Sequence, residues 1–138
     1  MAEADVAAGP VRHCPFTAAA GHAAARELLA QQDRPTAIFA GNDTIALGVL
    51  RAAAEAGLTV PGQLSVVGFD DIELSRYLYP ALTTIGQSIR DLGERAAQLL
   101  LARREGVGGP STHDIAVPRL VLRESTAAPS ALEISHAP

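Results

Sequence analysis

Residues 64–69 form a short apolar run, Leu-Ser-Val-Val-Gly-Phe, that stops at two adjacent carboxylates, Asp70 and Asp71. A run without regular polar alternation reads as a strand covered on both faces, as in a parallel sheet. Open parallel sheets hold their ligands in the crevice beyond the carboxyl ends of the strands. The acid pair therefore stands where recognition or chemistry is expected. Beyond it, an irregular segment passes Tyr77 and Pro80 and reaches a Leu-Thr-Thr run at 82–84.

The rest of the chain supplies partners for such a strand. Residues 11–16 can form a short strand, and Thr17 is placed to cap a helix over 18–31 that ends before Pro35. A second apolar run covers 36–40. Asn42 and Asp43 follow as caps for a helix over 44–56, with Asp43 the favoured cap and Gly57 as its C′ residue. After a strand near 83–85, Ser88 and Asp91 resemble a capping box opening a helix over 88–104. Its apolar stripe is Ile89, Leu92, Ala96, Leu99 and Leu100. Residues 106–110 read as a loop, 115–117 and 120–122 as strands, and 127–138 as a disordered tail, matching a flexible leader at 1–10. The order is that of an α/β fold with an open parallel sheet flanked by helices.

Composition narrows the function. With 48% hydrophobic and 19% charged residues, the 138-residue chain is globular, and it has the length of one domain or part of a larger one. Its formal net charge is −4 and it has no basic run, so the footprint of a nucleic-acid-binding surface is missing. The single cysteine, Cys14, cannot form an internal disulfide, no signal peptide is visible, and no apolar stretch suffices to span a membrane. A cytoplasmic location is the simplest expectation. The four histidines, at 13, 22, 113 and 136, lack metal-ligand spacing, so neither a metal nor a cofactor is expected. Cys14, in the first apolar run, reads as inert core.

Enzyme readings find no motif. The Asp70–Asp71 pair is also like the acidic pair of phosphorylation receiver domains, but those need a lysine and this chain has none. A nucleophile elbow, a Walker A loop and a dinucleotide-binding glycine motif after a strand are all absent from the sequence.

Two long segments carry a resemblance. AIFAGNDTIALGVLRAAAEAGLTVPGQLSVVGFDD and PALTTIGQSIRDLGERAAQLL, with the closing LVLREST, resemble the C-terminal part of the LacI/GalR transcriptional regulators. The likeness covers residues 11–126. It implies part of an effector-binding module shaped like a periplasmic binding protein, with helix 88–104 crossing to an N-terminal lobe. The helix-turn-helix headpiece, hinge helix and N-terminal lobe of the family have no counterpart in this sequence. Operator DNA is therefore expected to be contacted only through a headpiece outside it. Two other readings share the architecture: a free-standing sugar-binding protein of the periplasmic type, and a fragment that only dimerises.

The resemblance also assigns roles. Asp70 would accept hydrogen bonds from a sugar or purine effector, the bland alternative being a turn cap. Asn42 would contact the effector or merely cap its helix. Phe16 would stack on the effector or fill the core, and Gln87 would reach the cleft or stay solvated. Leu47, Tyr77 and Leu78 fall where family members form a homodimer, with core packing as the competing account.

Overall fold

The computed structural model describes residues 9–106 and 115–129. The expected leader up to residue 8, most of the 106–110 loop, His113, and the tail from 130 onward, His136 included, lie outside the described residues. Eight elements follow in order. They are α1 (Ala18–Leu29), β1 (Ala37–Phe39), α2 (Asp43–Glu55), β2 (Ser65–Asp70), a 3₁₀ turn (Glu73–Arg76), β3 (Thr83–Gly86), α3 (Ile89–Arg104) and β4 (Arg119–Val121). The strands form one sheet in the order β1-β2-β3-β4. The first three are parallel and β4 runs antiparallel to β3.

Local chemistry sets the helix boundaries. Thr17 caps α1, its hydroxyl accepting from the Ala20 amide at 3.2 Å. Asn42 caps α2, with Oδ1 accepting from the Ile45 amide at 2.8 Å. Asp43, favoured by sequence as the cap, is instead the first helical residue and is fully buried. Gly57 takes the left-handed φ of 70° that a C′ position favours. Ser88 Oγ accepts from the Asp91 amide at 3.2 Å and opens α3.

Helices α1 and α2 lie against one face of the sheet. There Ala25, Leu28, Ile38, Ile45, Val49, Leu64, Val66 and Leu82 make the core. The two helix backbones touch at glycines: a Cβ on Gly48 would sit 2.0 Å from the Ala18 carbonyl oxygen, and one on Gly21 would sit 2.4 Å from that of Ile45.

The other face corrects an expectation. Strand β2 is covered on one side only, with Val66 and Gly68 buried and Val67 and Phe69 half-buried. Register places Val67 and Phe69 beside Phe39 and Ile85, and pairs Ile85 with Leu120. Phe39 and Leu120 are exposed. Helix α3 has no buried residue, so its apolar stripe is open as well.

Two expected strands do not form. Residues 115–117 carry no strand, and β4 covers 119–121 rather than 120–122. Residues 11–16 form no strand, and Cys14 among them is half-buried against the core. They face β1 across a hollow of about 540 Å³. A strand needs a neighbour for its ladder, and among the described residues none lies in hydrogen-bonding reach of this one.

Candidate functional site

Strands β1, β2 and β3 end at one edge of the sheet, and three of the expected site residues, Asn42, Asp70 and Gln87, stand at or just beyond those ends. Asp70 is the last residue of β2, paired in register with Gly86 of β3. Gln87 comes next after Gly86, and its Nε2 donates to Asp70 Oδ1 at 3.2 Å. Both side chains are half-buried. They line a cleft of about 500 Å³ completed by Asp71, Ser88, Asp91, Leu92, Arg95 and the approach to β4 at 116–119. Its wall is mostly polar and carries charges of both signs, with Leu92, Ala116, Val117 and Pro118 as the apolar part. Such a lining suits a neutral, hydroxyl-rich molecule better than a hydrophobic one.

Phe16 and Asn42 fall elsewhere on that edge. Phe16 is 73% exposed, so it is not a core residue. It borders the hollow between residues 9–14 and β1, its ring 3.9 Å from where a Cβ on Gly41 would lie. Asn42 follows Gly41 in sequence and spends its carbonyl oxygen on the α2 cap. The structure thus joins Asp70 with Gln87, and Phe16 with the Gly41–Asn42 corner. Among the described residues no single hollow takes in all four.

The two acids at the end of β2 have separate duties. Asp71 Oδ1 accepts from Arg123 Nη2 at 2.5 Å, and Arg123 Nη1 donates to the Leu82 carbonyl at 2.7 Å. Asp70 faces the cleft and Gln87. Arg123 was missed from the sequence because 52 residues separate it from Asp71 and no local pattern announces the contact. Asp91, Leu92 and Arg95 could have been found: with Ser88 they recur at helical spacing on one face of α3.

Asp43 is a structural group. Its Oδ2 accepts from the Ile72 amide at 2.9 Å and Ser75 Oγ at 2.6 Å, while Oδ1 accepts from Thr84 Oγ1 at 2.5 Å. Of the expected interface residues, Tyr77 is 71% exposed, whereas Leu47 and Leu78 are half-buried and Leu78 packs against the core. Among the described residues no group of three His, Cys, Asp or Glu side chains is arranged to hold a metal ion. No helix among them is long and apolar enough to cross a membrane.

The model of the periplasmic binding protein-like domain matches residues 2–126. The chain belongs to that family. The HTH-type transcriptional repressor PurR of Klebsiella pneumoniae (strain 342) is 44% identical over 112 residues, covering 81% of this chain and 33% of the relative. The dimeric Lac repressor with an 11-residue C-terminal deletion superposes with a TM-score of 0.78 at 38% identity, over 83% of this chain and 42% of that one. A LacI family transcriptional regulator from Arthrobacter sp. FB24, in complex with lactose, gives 0.75 at 37% identity, over 83% of this chain and 43% of that one. Over this module the chain is similar to LacI-family transcriptional regulators and to the PurR repressor. The chain spans about a third of the length of the curated relatives it matches. Those relatives are transcriptional repressors.

Proposed function

We propose that this chain is the effector-sensing part of a cytoplasmic LacI/GalR-type repressor, and that Asp70 and Gln87 are the polar contacts to a sugar effector. The observation that carries this reading is the Asp70–Gln87 hydrogen bond at the carboxyl edge of β2 and β3, on the wall of the cleft. A carboxylate and a carboxamide side by side offer acceptors and donors together, the combination that vicinal hydroxyls require. The lactose complex of the Arthrobacter regulator supports a sugar as the ligand class. Phe16 supplies an exposed aromatic face at the same sheet edge, and the Asn42 amide nitrogen remains a donor after its oxygen caps α2. Operator binding belongs to a headpiece outside this chain. Tyr77, with Leu47 and Leu78, anchors a homodimer.

The test is an NMR-detected titration of the chain with a panel of pentoses, hexoses and disaccharides. Half of a cleft leaves much of a sugar in water, so binding should be weak. At least one sugar should shift the resonances of Asp70, Gln87 and Ser88, and Asp70→Ala should abolish those shifts. Sugar-dependent shifts confined to another surface, or surviving Asp70→Ala, would overturn the assignment. For the dimer, Tyr77→Asp should give monomer by sedimentation.

A further inference from the structure

Asp70 and Asp71 have φ values of 110° and 55°. Aspartate tolerates the second of these, but the first lies where residues with a Cβ are seldom found. Two such residues in succession persist only when their surroundings hold them. Strand pairing fixes one side of the kink, since Asp70 is in register with Gly86. On the other side, the Ile72 amide is held by Asp43 Oδ2 at 2.9 Å. Between the two, the Arg123 guanidinium reaches the Asp71 carboxylate.

Arg123 is unusually well fixed for an arginine. Its Nη1 donates to the Leu82 carbonyl at 2.7 Å, its backbone amide donates to Thr83 Oγ1 at 3.0 Å, and its Nη2 reaches Asp71 Oδ1. Side-chain exposure is 14% for Arg123 and 19% for Asp71, so water screens the pair little. The planar guanidinium spans a carboxylate and a carbonyl at once, which a lysine ammonium would not do in the same geometry. Asp71 also rests against the β3 backbone: a Cβ on Gly86 would lie 3.3 Å from that of Asp71. The glycine leaves the space that the kink occupies.

We infer that the Asp71–Arg123 ion pair is a positioning clamp for Asp70. It holds residues 70 and 71 in left-handed geometry and thereby aims the Asp70 carboxylate at Gln87 and the cleft. Arg123 lies two residues beyond the end of β4, so the clamp makes the segment leaving the last described strand part of the apparatus that sets the binding carboxylate. Its effect on affinity rests on the effector reading given above; its effect on the geometry of Asp70 does not.

The experiment uses the whole chain, labelled with nitrogen-15. The Gln87 side-chain amide, which donates to Asp70 Oδ1, reports where that carboxylate is. The Ile45 amide, bonded to Asn42, reports whether the fold is intact. Arg123→Ala should move the Gln87 side-chain resonance toward that of free glutamine and leave Ile45 in place. Adding Asp71→Gly to Arg123→Ala should return it, because glycine takes a positive φ without a clamp. A purely structural role for Arg123 predicts no such return. If Arg123→Ala does not fold, Arg123→Lys is read by the same two resonances and the same rescue. A Gln87 resonance that stays put in the folded variant, or that Asp71→Gly fails to restore, overturns the clamp.

A titration with the sugar found by the panel separates the two proposals. Loss of the clamp should weaken binding roughly tenfold, as is usual when a group orienting a ligand contact is removed. Should Asp70→Ala leave sugar binding unchanged while the Gln87 resonance behaves as expected, the effector reading fails and the clamp stands.

Discussion

Thr84 donates a 2.5 Å hydrogen bond to the Asp43 carboxylate, joining the middle of β3 to the first residue of α2 across 41 positions in sequence. The same carboxylate receives Ile72 and Ser75 from the segment beyond β2. Gly68 of β2 passes close beneath it, where a Cβ would lie 2.1 Å from Asp43 Oδ1. One fully buried acid thus ties together both crossovers of the parallel sheet.

Replacing Asp43 with alanine should be severely destabilising. Three buried or part-buried donors would lose their acceptor with no water to replace it. The cost should be about 3–5 kcal/mol, most of the stability of a small domain. Asp43→Asn should lose less, because one acceptor oxygen survives. Urea denaturation monitored by circular dichroism measures both, and a loss under about 1 kcal/mol for the alanine variant would reject a structural role.

The α1–α2 contact should be as intolerant of a single methyl group. Gly48→Ala would place a Cβ 2.0 Å from the Ala18 carbonyl oxygen and 2.4 Å from the His22 nitrogen, both backbone atoms that cannot step aside. The helices must separate, and overpacking of this kind costs about 1–3 kcal/mol or more. Gly93→Ala, on an open part of α3 with nothing within 4 Å, is the control and should be neutral or slightly stabilising. Thermal melts of the two variants should therefore move in opposite directions or differ by many degrees.

Acid should weaken a link between α1 and α2. The hydrogen bond from His22, followed by that from Arg51, holds the Glu55 carboxyl below its ordinary value of 4.5. A carboxyl lowered on folding contributes stability above its unfolded value and loses that contribution as pH falls through the folded one. The wild type should exceed Glu55→Gln in urea midpoint near neutrality. That difference should shrink progressively below pH 4.5. A gap that widened with acid would contradict the assigned sign.

What the sequence revealed and what it hid divide along contact range. The Thr17 cap, the Gly57 terminus and the Ser88 cap act within a few residues, so residue type and spacing disclosed them. The choice of Asn42 over Asp43 as cap was not disclosed, because Asp43 is recruited by Ile72, Ser75 and Thr84, all distant in sequence. Strand β2 was legible from its apolar run, but the open face bearing Val67 and Phe69 was not, since coverage depends on what packs there. For the site, the run ending in Asp70 disclosed the crevice edge. The ion pair that separates the duties of Asp70 and Asp71 was invisible, because Arg123 becomes a neighbour only when β4 returns beside β3. Residues 11–16 had the composition of a strand and lacked a partner to pair with.

That unpaired segment leads to a prediction about the free edge of the sheet. The Ala40 amide donates to the Val67 carbonyl at 2.8 Å, so it points inward to β2. Alternation along a strand then turns the Ala37 and Phe39 amides outward, toward the hollow beside residues 9–14. Amide exchange should be fast at 37 and 39 and slow at 38 and 40 in dilute solution. An unblocked edge with an exposed phenylalanine beside it is also a template for another chain. Association beyond the Tyr77 dimer should therefore rise with concentration and slow exchange at Phe39 as it does so. Phe39→Lys should suppress both effects by placing a charge on the edge without disturbing the α1–α2 core. Should Phe39→Lys associate as strongly as wild type while Tyr77→Asp becomes monomeric, the Tyr77 surface would govern assembly and the edge would take no part.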